Sequence, residues 1–243
     1  MPHEAGNLSV RPEGDSQSAL ESAARHLGAP SSPGGGIARG GREILRRRQE
    51  RELFAWARAK SRLIDLAARL PDLRSGGEEH RVSTTGDLSR YWKATHPGRY
   101  GFAIRCGEET GHLPELVRAQ PLEYLQRLQL QNSVFTDDIR LEGVALERER
   151  LVIVTSQETI LGSAVTTDEM VMAMAQLQFK PVRGLSLGRP GALIFHRDLD
   201  AIAAFDAHPG NFVKDDNGVV LAIDLILVRA DAELQKALAP YLN

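Results

Sequence analysis

The residues best equipped for chemistry lie in "IFHRDLDAIAAFDAHPGNFV", residues 194–213, and in the "LAID" that follows it. Two aspartates there, Asp198 and Asp206, have the right functional group to act as general base in a phosphoryl transfer. Such a base needs a metal-binding side chain on the same tight loop, because base, metal and phosphate converge on one point. In one recurrent arrangement the partner is an asparagine five residues on, and a second metal-binding aspartate follows on a later strand. Asp198 has Ala203 at that offset, followed by more of an apolar run that suits a buried segment better than a solvated loop. Asp206 has Asn211 at that offset, with Pro209 and Gly210 to tighten the loop and Asp224 further along inside "VVLAIDLILV". An acid in so apolar a run is costly unless it is paired or neutralised by a cation. Asp206 as base, with Asn211 and Asp224 as metal ligands, supplies the oxygen donors that Mg²⁺ and phosphate require. "HRDL" reads instead as a polar turn before a buried segment.

Bulk composition sets broad bounds. The chain has 243 residues, enough for one domain with additional segments. With 30 Lys and Arg against 32 Asp and Glu, no global basic field draws it to nucleic acid or to a membrane surface. Cys106 is the single cysteine, so no disulfide framework can form within the chain, which suits a reducing compartment. No apolar run reaches the roughly 18 residues a membrane span needs, and the first residues lack the pattern of a secretory signal. The expectation is a cytoplasmic protein without a membrane partner.

Three segments follow from the local patterns. Residues 1–41 are rich in Gly, Ser, Pro and charge, which predicts disorder. Residues 42–75 read as helical, with Leu53, Trp56, Leu63, Leu66 and Leu70 at three-and-four spacing. The basic cluster "RRRQER" at 46–51 is either a nucleic-acid contact or a solvated helix face, and its interleaved Glu and Gln favour the second. Residues 76–243 carry the rest: a Gly pair, a short strand, a turn at "TTGD", and a strand bearing Lys93. A helix in "PLEYLQRLQLQNSVF" and a hairpin in "DIRLEGVALERERLVIVTSQ" come next. A helix capped by Thr166 and Glu169 follows, with Met170, Met174 and Leu177 at helical intervals and the two methionines as core candidates. The chain ends in two short strands around an Asn-Gly turn and a last short helix from Ala230. The plan is α+β.

"DAHPGN" followed by "AID" resembles the D-x-H-P-G-N loop of atypical, protein-kinase-like enzymes. Together with "EYLQRLQLQNSVFTDDIRLEGV" and "LVIVTSQ", it resembles the kinase domain found in polyvalent proteins of phages and mobile elements. The resemblance covers about residues 76–228. It implies a compact two-lobed kinase-like fold with a reduced C-terminal lobe, binding ATP and Mg²⁺ and phosphorylating hydroxyl groups on a protein or small-molecule acceptor. It makes Lys93 the strand lysine that contacts the α- and β-phosphates, with a helix glutamate as its partner. Glu123 fills that place, with Glu115 second and an i,i+4 pair with Arg127 as the alternative use of Glu123. Gly76 and Gly77 would cover the phosphates with backbone amides. Ser156, Gln157 and Glu158, within "TSQETILG", would form the hinge against the adenine. His208 would orient Asp206, line the phosphate site or brace the loop.

The chain also departs from the protein-kinase pattern. There is no G-x-G-x-x-G, Leu225 and Ile226 follow Asp224 where Phe-Gly is usual, and only 19 residues remain after Asp224. Two alternatives stay open: a nucleotide-binding module without catalysis, and a metal-dependent hydrolase built from His196, Asp198, Asp206, His208 and Asp224.

Overall fold

The structure, a computed structural model, describes residues 14–28, 39–84 and 89–242. Where composition predicts disorder, Gly14–Gly28 forms a helix, α1. Its Ala19, Leu20, Ala23, Ala24 and Leu27 are buried in one core with Leu53, Trp56 and Leu125. The stripe is built largely of alanines, so mean hydropathy misses it, although its three-and-four spacing was visible. The remainder of the segment, 1–13 and 29–38, lies outside the described residues.

The predicted helix over 42–70 is interrupted. Helix α2 runs Arg39–Ala59, and a single turn, α3, follows at Leu66–Arg69. Between them the chain is extended: Ile64 N–H donates to the Val144 carbonyl, and Val144 N–H donates to that of Arg62. Gly143 permits this approach, since a Cβ there would stand 2.2 Å from the Arg62 oxygen. Asp65 then caps α3 by accepting from Ala67 and Ala68. Arg46 and Arg47 pair with Glu43, and Arg48 with Glu52, so these basic side chains form ion pairs along the helix.

A five-stranded antiparallel sheet follows. Its strands are β1 (Arg74–Ser75), β2 (His80–Thr84) and β3 (Arg90–Thr95), then, after the β4 (Phe102–Arg105) and β5 (Glu115–Arg118) hairpin and helix α4 (Pro121–Phe135), β6 (Arg140–Glu147) and β7 (Arg150–Glu158). The spatial order is β1-β2-β3-β7-β6. Period-two alternation assigns the two faces. Trp92, Ala94, Val152 and Val154 pack towards Leu66, Leu70 and Leu73. Lys93 and Thr155, cross-strand partners, point to the other face, where α4 lies. The β6–β7 hairpin closes through Arg148 and Glu149, both at positive φ. The "TTGD" turn falls largely on residues outside the described set.

The remaining elements are β8 (Gly162–Ser163), α5 (Thr167–Gln176), β9 (Lys180–Val182), β10 (Leu193–Arg197), β11 (Ile202–Ala207), β12 (Phe212–Asp215), β13 (Val220–Ala222), β14 (Ile226–Arg229) and α6 (Ala232–Leu238). They form a four-stranded sheet ordered β14-β11-β10-β9 and a three-stranded one ordered β13-β12-β8. The Thr166–Glu169 capping box is present, and Met170 and Met174 are fully buried. The fold class is α+β, with antiparallel sheets throughout the main layers.

Candidate functional site

Strand β11 ends one residue after Asp206, whose φ of +57° is left-handed. That conformation is rare for a residue with a Cβ and is tolerated best by Asn and Asp among such residues. It turns the chain out of the sheet into the Pro209–Asn211 turn. The Asn211 amide reaches back to donate to the Asp206 carbonyl at 2.9 Å. His208 braces the turn by accepting from Gly210 N–H through Nδ1, and its Nε2 lies 3.4 Å from Arg189 Nη1. Asp206 Oδ1 is buried and has no hydrogen-bond partner. Desolvation raises the Asp206 pKa, against the smaller pull of His208 and Asn211.

Asp224 reaches the same place from another direction. It does not sit inside a strand, as its apolar setting predicts, but in the short link between β13 and β14. The Asn211 carbonyl accepts from Ile223 N–H at 2.9 Å, which ties that link to the Asp206 turn. The Asp224 side chain is 42% exposed. Burial there pushes its carboxyl up, but the charge of Lys93, then His80, Arg127 and His208, outweighs this and holds it below its ordinary value.

Asp206, His208, Asn211 and Asp224 line a cleft of about 770 Å³ together with Gly76 to His80. The Gly pair thus borders the same cleft as the two aspartates. Gly77 needs its glycine for φ of +130°, and a Cβ on Gly76 would clash at 2.6 Å with Val82. Lys93 lines a narrow crevice with Asp224, Arg127, His80 and Gln157. Its amine donates to Gln157 Oε1 at 2.8 Å, and Gln157 Nε2 donates to Asp137 at 2.6 Å.

Sequence reasoning missed Glu79, His80 and Arg127 as members of this centre. Glu79, His80 and Asp224 can each present a ligand atom within 4.8 Å of the others, the one such group among the described residues. Arg127 stands beside them, 4% exposed. It donates to both Glu79 carboxylate oxygens and lies 3.8 Å from Asp224 Oδ1. A clue was available in the adjacent acid and imidazole two residues past the Gly pair, but nothing in sequence linked them to residue 224. His80 is buried against the Tyr124 hydroxyl at 2.9 Å, and desolvation pushes its pKa down to about 4.

Other expected members are elsewhere. Glu123 does not meet Lys93. It caps its own helix at Gln120 N–H and pairs with Arg42 and Arg105, because its position in the first turn of α4 faces α2 and β4. Glu115 is on strand β5 rather than a helix. The Ser156 hydroxyl is taken up by Arg90 and Glu142, Gln157 serves Lys93, and Glu158 borders a separate cavity near α5. None of the three lines the Asp206 cleft. Asp198 pairs with Lys180 and His196 in the β10–β11 turn. His196 and Asp198 are therefore not brought to Asp206, His208 and Asp224, and the five-residue hydrolase set is not assembled.

No family model, curated protein or solved structure matches this chain. No helix among the described residues is long and apolar enough to cross a membrane.

Proposed function

We propose that the protein is an ATP- and Mg²⁺-dependent phosphotransferase of the protein-kinase-like kind, acting on hydroxyl groups of a protein acceptor. One observation carries the reading: Asp206, Asn211 and Asp224 line one cleft with a glycine pair, and Lys93 is the foremost positive influence on Asp224. The order β1-β2-β3-β7-β6, with the lysine on β3 and a helix laid across that face, supports it as well.

The residues present fit the cation. Asn211 and Asp224 offer oxygen donors on segments already hydrogen-bonded to each other. When bound, Mg²⁺ would supply charge neutralisation at the phosphates. Lys93 would add positive charge on the same side, and the backbone of Gly76 and Gly77 would cover the phosphates. Asp206 would accept the proton of the acceptor hydroxyl as it attacks the γ-phosphorus, with ADP leaving. Its Oδ1 has no hydrogen-bond partner in the protein, and its raised pKa makes it a stronger base. The acid limb of the rate profile is then displaced upward from the ordinary aspartate value.

The test is incubation with γ-labelled ATP and Mg²⁺ and a generic protein acceptor, comparing the wild type with Asp206→Asn. Label transfer by the first and not the second is the expected result. Equal transfer by both, or Mg-ATP binding with no turnover under any condition, sets the phosphotransferase reading aside; the second outcome leaves a nucleotide-binding module.

A further inference from the structure

Arg127 is the least expected charge beside the cleft. A kinase-like arrangement calls for an acid on this helix, facing the strand lysine. Here the helix presents a cation, and Lys93 is held by the neutral Gln157. The Arg127 guanidinium makes a two-pronged contact with Glu79, approaches the Phe102 carbonyl at 3.5 Å, lies over the Tyr124 ring at 5.5 Å, and stands 3.8 Å from Asp224. Glu79 is fixed in turn. It accepts from Phe102 N–H at 3.1 Å, and its carboxyl occupies the space a Cβ would need at Gly101.

Three parts of the site therefore meet at one guanidinium: the segment after the glycine pair through Glu79, helix α4 through Arg127 itself, and the β13–β14 link through Asp224. A buried arginine stays charged, and its fork matches a carboxylate. Two carboxylates this close repel unless a cation lies between them.

We infer that Arg127 is a positioning residue acting as the built-in counter-cation of the cleft: it neutralises Glu79 and Asp224 when no divalent ion is bound, and yields its share of Asp224 when one arrives. The inference rests on the metal role of Asp224 given above. It goes further in naming Glu79 as the second carboxylate that sets cation affinity, and Arg127 as the group a cation competes with.

Charge balance gives the two partners opposite signs. Removing Arg127's charge leaves Glu79 and Asp224 free to attract a cation. Removing Glu79's charge turns Arg127 wholly towards Asp224. A residue that only held the fold together would shift both variants the same way.

The experiment is a Mn²⁺ titration of the full chain without nucleotide, followed by electron paramagnetic resonance, with melting temperature measured in parallel. Arg127→Gln is expected to bind Mn²⁺ about tenfold more tightly than wild type, and to melt roughly 10 °C lower in the absence of cation. Arg127→Lys keeps the charge and should stay within about threefold of wild type. Glu79→Gln should bind about tenfold more weakly. Should Arg127→Gln not fold, Glu79→Gln with Arg127→Lys decides. Mn²⁺ affinity unchanged in Glu79→Gln, weaker in Arg127→Gln, or undetectable in every form overturns the proposal. Opposite shifts without label transfer from ATP would keep it and remove the phosphotransferase reading; label transfer with identical Mn²⁺ affinities would do the reverse.

Discussion

Strand β11 carries an aspartate-bearing turn at each end, and the two ends are built on opposite principles. At its start, Asp198 is exposed, hydrogen-bonded to Lys180 and His196, and its pKa is lowered by those contacts, Lys180 first. At its finish, Asp206 is half-buried and left-handed, with one oxygen lacking a partner and a pKa raised by desolvation. The first end is satisfied and ready for nothing further. The second holds a carboxylate with one unpartnered oxygen in the same cleft as another, Asp224. A site for chemistry is recognisable by what it leaves unpaired, because groups already neutralised by their neighbours have little left to offer a substrate.

The sharpest way to break this contrast is to neutralise each end in turn. Asp206→Asn should lower phosphoryl transfer by at least about 100-fold, whereas Asp198→Asn should leave it within about twofold. Asn suits the left-handed backbone, so the melting temperature of Asp206→Asn should not fall. The reverse activity pattern in a labelled-ATP assay would return the base to "HRDL".

The cleft end should also store part of its cost as a pH dependence. His80, facing Asp224, Lys93, Glu79 and Arg127, has a folded pKa of about 4 against an ordinary 6.5. Between these values the unfolded chain binds the extra proton, so stability rises with pH across that window and is lost as pH falls through it. The full effect is on the order of 3 kcal/mol. Urea titrations from pH 7 to 4 should show a slope that His80→Gln flattens; an identical slope in both proteins contradicts the buried, neutral imidazole.

Asp224→Ala tests the metal half of the contrast. At nucleotide near 100 times its Kd, Mg-ATP should stabilise the wild type by about 2.7 kcal/mol. In the variant that gain should vanish without a large loss of stability in the nucleotide-free protein. A thermal shift that persists in Asp224→Ala would place the cation elsewhere.

The smallest effects separate strain from surface pairing. Asp206→Gly relieves a left-handed residue and should stabilise the fold by up to about 1 kcal/mol. Asp198→Ala removes an exposed ion pair and should cost less than about 1 kcal/mol. Equal and opposite signs of this kind in chemical denaturation would mark the ends of β11 as different in stability as well as in chemistry.

Much of this architecture was legible locally. Thr166 and Glu169 announced their helix, Arg150–Glu158 its strand, and the five-residue step from Asp206 to Asn211 the turn that joins them. These features depend on residues within one or two turns of each other, where sterics and capping act directly. What sequence could not supply was partnership across distance. Glu123 and Arg127 lie on one helix, and the kinase-like resemblance assigned the acid to the strand lysine. The rotation of α4 against β2 and β4 instead sends Arg127 to Glu79 and Glu123 to Arg42 and Arg105. The same holds for α1, whose alanine stripe has no meaning until a facing surface lies close enough for small side chains to fill it. Spacing along the chain fixes which residues share a turn or a face; which charge meets which across a cleft is set by how those faces dock, and only the tertiary packing decides it.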